Sequence, residues 1–181
     1  MLTISSVTLS NCSTMGEARR TEVATASVQA LESLYRQNES AANLGKQANA
    51  VLVFPAVTRA GFMFGKQRGD GVAFGREGSA KPKVEGIEGF YRTQSISYGI
   101  QAGAQRFGYA VFLMDEAAAA RMRERRSWDL GSSPSVVVFD QGMAGGLSTG
   151  TVRSGTYAFF FDQQGVMAGL GMLGTKVWPV N

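Results

Sequence analysis

Histidine is absent from the 181 residues, and cysteine occurs once, at Cys12. Without an imidazole to take and return a proton near neutral pH, neither a Ser-His-acid nor a Cys-His nucleophile system can be built. Most catalytic zinc sites also use at least one imidazole. A single cysteine excludes an intrachain disulfide and every multi-cysteine metal or cluster site. Proline is scarce, at four copies, and no apolar run approaches the roughly 18 residues that a spanning helix needs. Composition thus removes the histidine-dependent enzyme classes, and no cofactor is expected.

Glycine is what the chain has in excess, with 23 copies against a usual share of about 7%. In a sequence that is 44% hydrophobic and 18% charged, such glycine points to tight turns, bulges and close strand contacts. The length suits one domain with its own core. The formal charge is +4 and the pI about 9.5, with the surplus concentrated in residues 61–108. A basic balance favours anionic surfaces such as lipid headgroups or nucleic acid, although ordinary solubility charge accounts for it equally well. No DNA-reading helix or aromatic RNA platform is recognisable, so nucleic acid is not expected as a partner.

Residues 1–11 (MLTISSVTLSN) carry no charge and lead directly to Cys12. The arrangement resembles the end of a bacterial lipoprotein signal, where a leucine-containing stretch precedes a cysteine that becomes lipidated. Leu9, Ser10 and Cys12 fit this pattern. Asn11 stands where Gly or Ala is usual, and the first cation is Arg19, so the basic n-region is missing. Residues 1–14 read as a signal remnant or lipidated tether, and residues 15–181 as a single domain. An acylated Cys12 would anchor that domain in the cell envelope, periplasmic or outer-membrane, without a spanning helix. A frayed terminus with an incidental cysteine is the plainer alternative.

Residues 17–37 have helical periodicity, with Ala24, Val28, Leu31 and Tyr35 on one face and Ser27 and Leu34 beside them. A shorter helix is predicted from Ser40, as its cap, to about Gln47. Ala50–Phe54 reads as a buried strand stopped by Pro55. Gly61–Phe64 and Gly71–Gly75 suggest a hairpin about a turn at Lys66–Asp70. In Gln94–Ala102, Ile96, Tyr98, Ile100 and Ala102 share one face and Ser95, Ser97 and Gln101 the other. Tyr109–Met114 is a further strand. Asp115 can cap a helix running to about Arg125, and Val136–Phe139, Thr156–Phe161 and Val166–Leu173 read as strands. The fold class is therefore α+β, a helical hairpin followed by a Gly-rich, mostly antiparallel sheet or barrel with one inserted helix.

Several motif matches fail on context. Gly146–Gly150 has the G-x-S-x-G spacing of a nucleophile elbow, but Ser148 has no histidine base and no helix is read after it. Gly169, Gly171 and Gly174 match a dinucleotide fingerprint with too little chain beyond them. Gly61, Gly65 and Lys66 fall one residue short of a P-loop. Arg68-Gly69-Asp70 spells RGD, a tripeptide that recurs by chance. Scattered carboxylates, including Glu85 and Glu88, show no second set across a cleft.

Ala48–Gly75 (ANAVLVFPAVTRAGFMFGKQRGDGVAFG) resembles the most recognisable block of the SYLF domain family, with its AVLVFP run, AGF segment and Gly-rich passage into a GVA strand. Ser97–Gln105 (SYGIQAGAQ) is similar to the family's SxGxQxGxQ block, and Val166–Gly174 to its C-terminal Gly-rich segment. Together the similar regions run from about residue 20 to 178. The resemblance implies a compact α+β domain without catalytic activity. It implies binding of phosphoinositides or other acidic phospholipids, in some members of actin filaments, and, for bacterial relatives, secretion or lipidation. It transfers no contact residue, because no single motif fixes the family's lipid site.

Candidate contacts therefore come from the residues themselves. Arg121, Arg123, Arg125 and Arg126 are expected to end the central helix, with Trp128 following; Lys66 and Arg68 are expected on a turn. Arginine offers bidentate contacts to phosphate, and tryptophan suits a lipid–water interface. Arg19 and Arg20 on the first helix form a rival face nearest Cys12. Solvated arginines at a helix end, with Trp128 in the core, are the structural alternative. Only five charged residues lie between Ser127 and Asn181, namely Asp129, Asp140, Arg153, Asp162 and Lys176. That charge-poor region is either central to the core or a surface for a protein partner in the envelope.

Overall fold

The first helix, α1 (Glu17–Gln37), buries Val23, Ser27, Leu31 and Leu34, which recur every three or four residues. Val28 and Tyr35 pack beside them. Asn38 both ends α1 and begins α2 (Glu39–Gln47). Its backbone is extended, and its side-chain oxygen accepts the Ala41 N–H at 2.9 Å. The N-cap expected at Ser40 is thus Asn38, whose amide oxygen serves the exposed N–H groups of the first turn. The structure is a computed structural model that describes residues 14–124, 127–130, 136–139, 155–165 and 174–181; for 62–64, 97–102, 136–139 and 165 it describes the backbone alone.

Two long antiparallel strands carry the rest. These are β1 (Ala50–Gly75) and β2 (Ile87–Leu113), paired from Ala50↔Leu113 to Phe74↔Ile87. Their connection holds a short helix, α3 (Arg76–Ala80), and a 3-10 turn at Val84–Gly86. Two sequence expectations are corrected. Pro55 does not stop the first strand, because it falls in the irregularity between Phe54 and Val57, where the ladder is already interrupted. Lys66–Asp70 is not a turn: its residues pair in register with Ile96–Arg92.

This ribbon folds back on itself about its middle. There, near Phe62–Phe64 and Tyr98–Ala102, the register shifts, and Gly103 takes φ 148°. The halves of β1 then meet along a seam made possible by missing side chains. A Cβ at Gly71 would stand 2.2 Å from the Val53 carbonyl oxygen, and one at Gly69 would stand 2.6 Å from the Val57 side chain. Across the interior, the Tyr109 hydroxyl lies 2.6 Å from the Thr93 hydroxyl, joining the two halves of β2.

The further strands are β3 (Trp128–Asp129), β4 (Val136–Phe139), β5 (Thr156–Gly165) and β6 (Lys176–Val180). β5 pairs with the second half of β2, while β6 pairs with its first half and carries β3. Among the described residues β4–β5 is the one parallel pair. Among the described residues the sheet is mostly antiparallel and does not close into a barrel, and the fold is α+β as the sequence predicts. The strand expected at Val166–Leu173 lies outside the described residues.

Alternation sends side chains to two cores. Phe54, Phe107, Tyr109, Phe160 and Val177 fill the inside of the folded ribbon, closed at one end by Ala119 and Met122 of α4 (Glu116–Arg123). On the outside, Val51, Val53, Val72, Phe74, Phe112, Phe159 and Val180 lie under α1 and α2. Burying one such side chain contributes about 1.5–3 kcal/mol. Asp115 occupies the N-cap position of α4 without capping it through its side chain. Its carboxylate instead accepts the Gly155 N–H at 2.8 Å, fastening the chain before β5.

Candidate functional site

Because side chains alternate along a strand, β1 residues 66, 68, 70 and 72 share the outer face with β2 residues 90, 92, 94 and 96. The register sets them in rows: Lys66 beside Ile96; Arg68 beside Gln94 and Lys176; Asp70 beside Arg92 and Trp178; Val72 beside Phe90 and Val180. The last row is covered by α1, whose Arg20 guanidinium stacks 4.9 Å over the Phe90 ring. The first two rows are not: Lys66, Arg68, Ile96 and Lys176 are exposed.

Along the flank of α1 these rows open into a groove of about 390 Å³, with Arg19, Arg68, Asp70 and Arg106 among its lining residues. Asp70 is neutralised from within. Arg92 donates to one carboxylate oxygen at 2.7 Å and Arg19 to the other at 3.4 Å, while Arg19 also pairs with Glu22 at 3.0 Å. Partial burial alone would lower the Arg19 guanidinium, but Glu22 and Asp70 outweigh it and hold the group above its ordinary value. Arg68 and Arg106 are different. Both are exposed, and neither makes an ion pair with a described carboxylate. Two guanidiniums without a carboxylate partner among the described residues therefore line one concavity with a third, Arg19, that is shared between Asp70 and Glu22. Planar groups with several donors suit an anion bearing several oxygens.

Of the residues named from sequence, Arg19 and Arg68 meet in this groove, and Lys66 lies one row away. Lys66 and Arg68 stand on a paired strand rather than on a turn. Arg20 is occupied by Phe90 and donates to the Met15 carbonyl at 3.2 Å. The helix-end cluster does not join them. Arg123 donates to Glu88 at 3.1 Å and to Glu116 at 3.2 Å, and reaches the Asn49 carbonyl at 3.4 Å, all at the ends of the ribbon. The hydrogen bond to Glu88 and the charges of both carboxylates raise its guanidinium. Arg123 is thus a clasp for α4 rather than an open phosphate contact. Arg121 is exposed in the last turn of α4. Trp128 is half-buried against the inner core, paired through β3 with Val177. Cys12, Arg125, Arg126 and Ser148 lie outside the described residues, as does much of the charge-poor region.

Sequence reasoning missed Arg106, Ile96, Lys176 and Trp178 as site residues. Arg106 follows the Gly-Gln block directly, but only the pairing Thr58↔Arg106 brings it to the groove. Lys176 joins through β6, a strand that is short and carries Pro179 within it, and so does not stand out. No protein-family model matches the chain, and no curated protein matches it significantly.

Proposed function

We propose that this chain is a noncatalytic binding domain for acidic phospholipid surfaces, of the SYLF type. We propose further that it works in the cell envelope, with Cys12 as its lipidated tether. The observation that carries the binding reading is the groove in which Arg68 and Arg106, exposed and without carboxylate partners among the described residues, stand beside Arg19. Each cation near an anionic bilayer contributes about 1 kcal/mol, so this group with Lys66 and Lys176 suits reversible attachment. Position supports the tether as well. Met15 donates its N–H to the Asn181 carbonyl at the start of α1, and three residues span at most about 10 Å. An acyl chain on Cys12 would therefore hold the Arg19 end of the groove close to the bilayer.

The test is co-sedimentation with vesicles of phosphatidylcholine alone and of phosphatidylcholine with a quarter phosphatidylserine. Binding is expected to the acidic vesicles only, and the Arg68→Ala, Arg106→Ala double variant is expected to bind them about thirtyfold more weakly. Equal binding to both vesicles, or an unchanged double variant, overturns the reading. Intact mass measurement of the protein recovered from membranes tests the tether, through an acyl adduct on Cys12.

A further inference from the structure

Ile96 is 55% exposed, one of two large hydrophobic side chains standing this far out among the described residues. Its setting gives the exposure meaning. It projects from the outer face directly beside Lys66 and one row from Arg68, Gln94 and Lys176. With Gln94, Ser95, Ser127, Gly174, Lys176 and Trp178 it lines a shallow concavity of about 520 Å³. Trp178 is half-buried there. Asp129, opposite Lys176 on β3, puts a carboxylate at the margin of this face; Asp70 is held by Arg92 and Arg19, and Glu22, in the adjoining groove, pairs with Arg19.

Resting on the acidic-lipid reading above, we propose that Ile96 is an insertion residue. When the basic groove meets an acidic bilayer, Ile96 passes below the phosphate level, with Trp178 beside it at the interface. The occupant of this face is the bilayer, for a reason of charge and polarity together. The face offers cations at the height of the headgroups and, between them, an aliphatic tip that gains only where water is excluded. Indole rings favour the same boundary zone. Electrostatics brings the face to the membrane, and the tip then sets its depth. The two contributions separate by experiment, because salt weakens the first and leaves the second.

The test uses the full chain with Cys12→Ser and Ile96→Cys, labelled at residue 96 with an environment-sensitive fluorophore. Vesicles contain phosphatidylcholine with a quarter phosphatidylserine, with or without lipids carrying a quencher at a shallow acyl position. Expected are a blue shift and quenching on binding. Ile96→Ser is expected to bind about fivefold more weakly, with the salt dependence unchanged. If the parent chain binds acidic vesicles in a salt-dependent way, yet the probe at 96 stays in water and Ile96→Ser binds equally, insertion is wrong and the basic-groove reading stands. If the parent chain binds no acidic vesicle, both are wrong. Binding of Ile96→Ser that is weaker without any quenching also overturns insertion.

Discussion

Asp70 decides how basic the groove is. Its side chain is 12% exposed and is shared between Arg92 and Arg19, so it stabilises the fold while cancelling part of the charge offered to an anion. Asp70→Asn is expected to lower stability by about 2 kcal/mol and to strengthen acidic-vesicle binding by about fivefold. Urea denaturation and co-sedimentation read the two effects separately, and opposite signs are the expected result. Ser27 makes a converse case. It is fully buried on the inner face of α1, and its hydroxyl has no hydrogen-bond partner among the described residues. Ser27→Ala is expected to raise the unfolding free energy by about 1 kcal/mol, through the removed desolvation cost and better helix propensity.

The tyrosines give a pH prediction. Burial raises the hydroxyls of Tyr35, Tyr91 and Tyr109, with Glu88 adding to the effect at Tyr91 and the Thr93 hydrogen bond opposing it at Tyr109. An unfolded tyrosine ionises near pH 10. Below that pH both states hold the proton and stability is fully present. Above it the unfolded chain loses protons that the folded chain keeps, so stability falls as pH rises. The urea midpoint is expected to hold from pH 7 to 9 and to drop steeply beyond about pH 10. Tyr109→Phe, which removes one such group at the cost of the Thr93 hydrogen bond, should lie closest to the parent at the alkaline end.

At the scale of elements, local pattern and long-range pairing part company. The 3.6-residue periodicity of residues 17–37 is complete in the sequence, and α1 spans Glu17–Gln37. α2, β4 and the start of β5 are legible for the same reason, since their signals lie within a few neighbouring residues. The continuity of β1 is not. Pro55 and the Gly-rich stretch at residues 61–75 look like stops, because a strand's tolerance for them depends on bulges and on what packs against the missing side chains. Ser95 and Ile96 show the limit again. Alternation separates them correctly, but the polar residue turns inward and the isoleucine outward, as only the fold-back of the ribbon can dictate. The candidate site was therefore legible as a list of basic residues and not as an assembly. Arg106 lies 38 positions from Arg68 in sequence, and only the seam in β1 brings them together. That seam makes a direct prediction: Gly71→Ala must displace the Val53 backbone. It is expected to cost at least about 3 kcal/mol or to prevent folding, as followed by circular dichroism and soluble yield.

For the whole molecule, the modest charge of +4 matters less than its arrangement, since surface charges more than about 10 Å apart are screened at 0.1 M salt. Attachment through a compact cation group is expected to weaken steadily from 0.05 to 0.5 M salt in a vesicle titration, and the Arg68→Ala, Arg106→Ala variant to show a shallower slope.

The tie between Met15 and Asn181, with Val180 beneath α1, bears on the order in which the domain can be completed. During synthesis α1 emerges before all the other described elements, yet part of its landing surface is β6, which emerges after all the other described strands. The helix must wait for nearly the whole domain before its outer core can close. Long-range closure of this kind slows folding and prolongs exposure of apolar surface. Under the export reading proposed above, that delay would serve the chain, keeping it threadable until β6 is made.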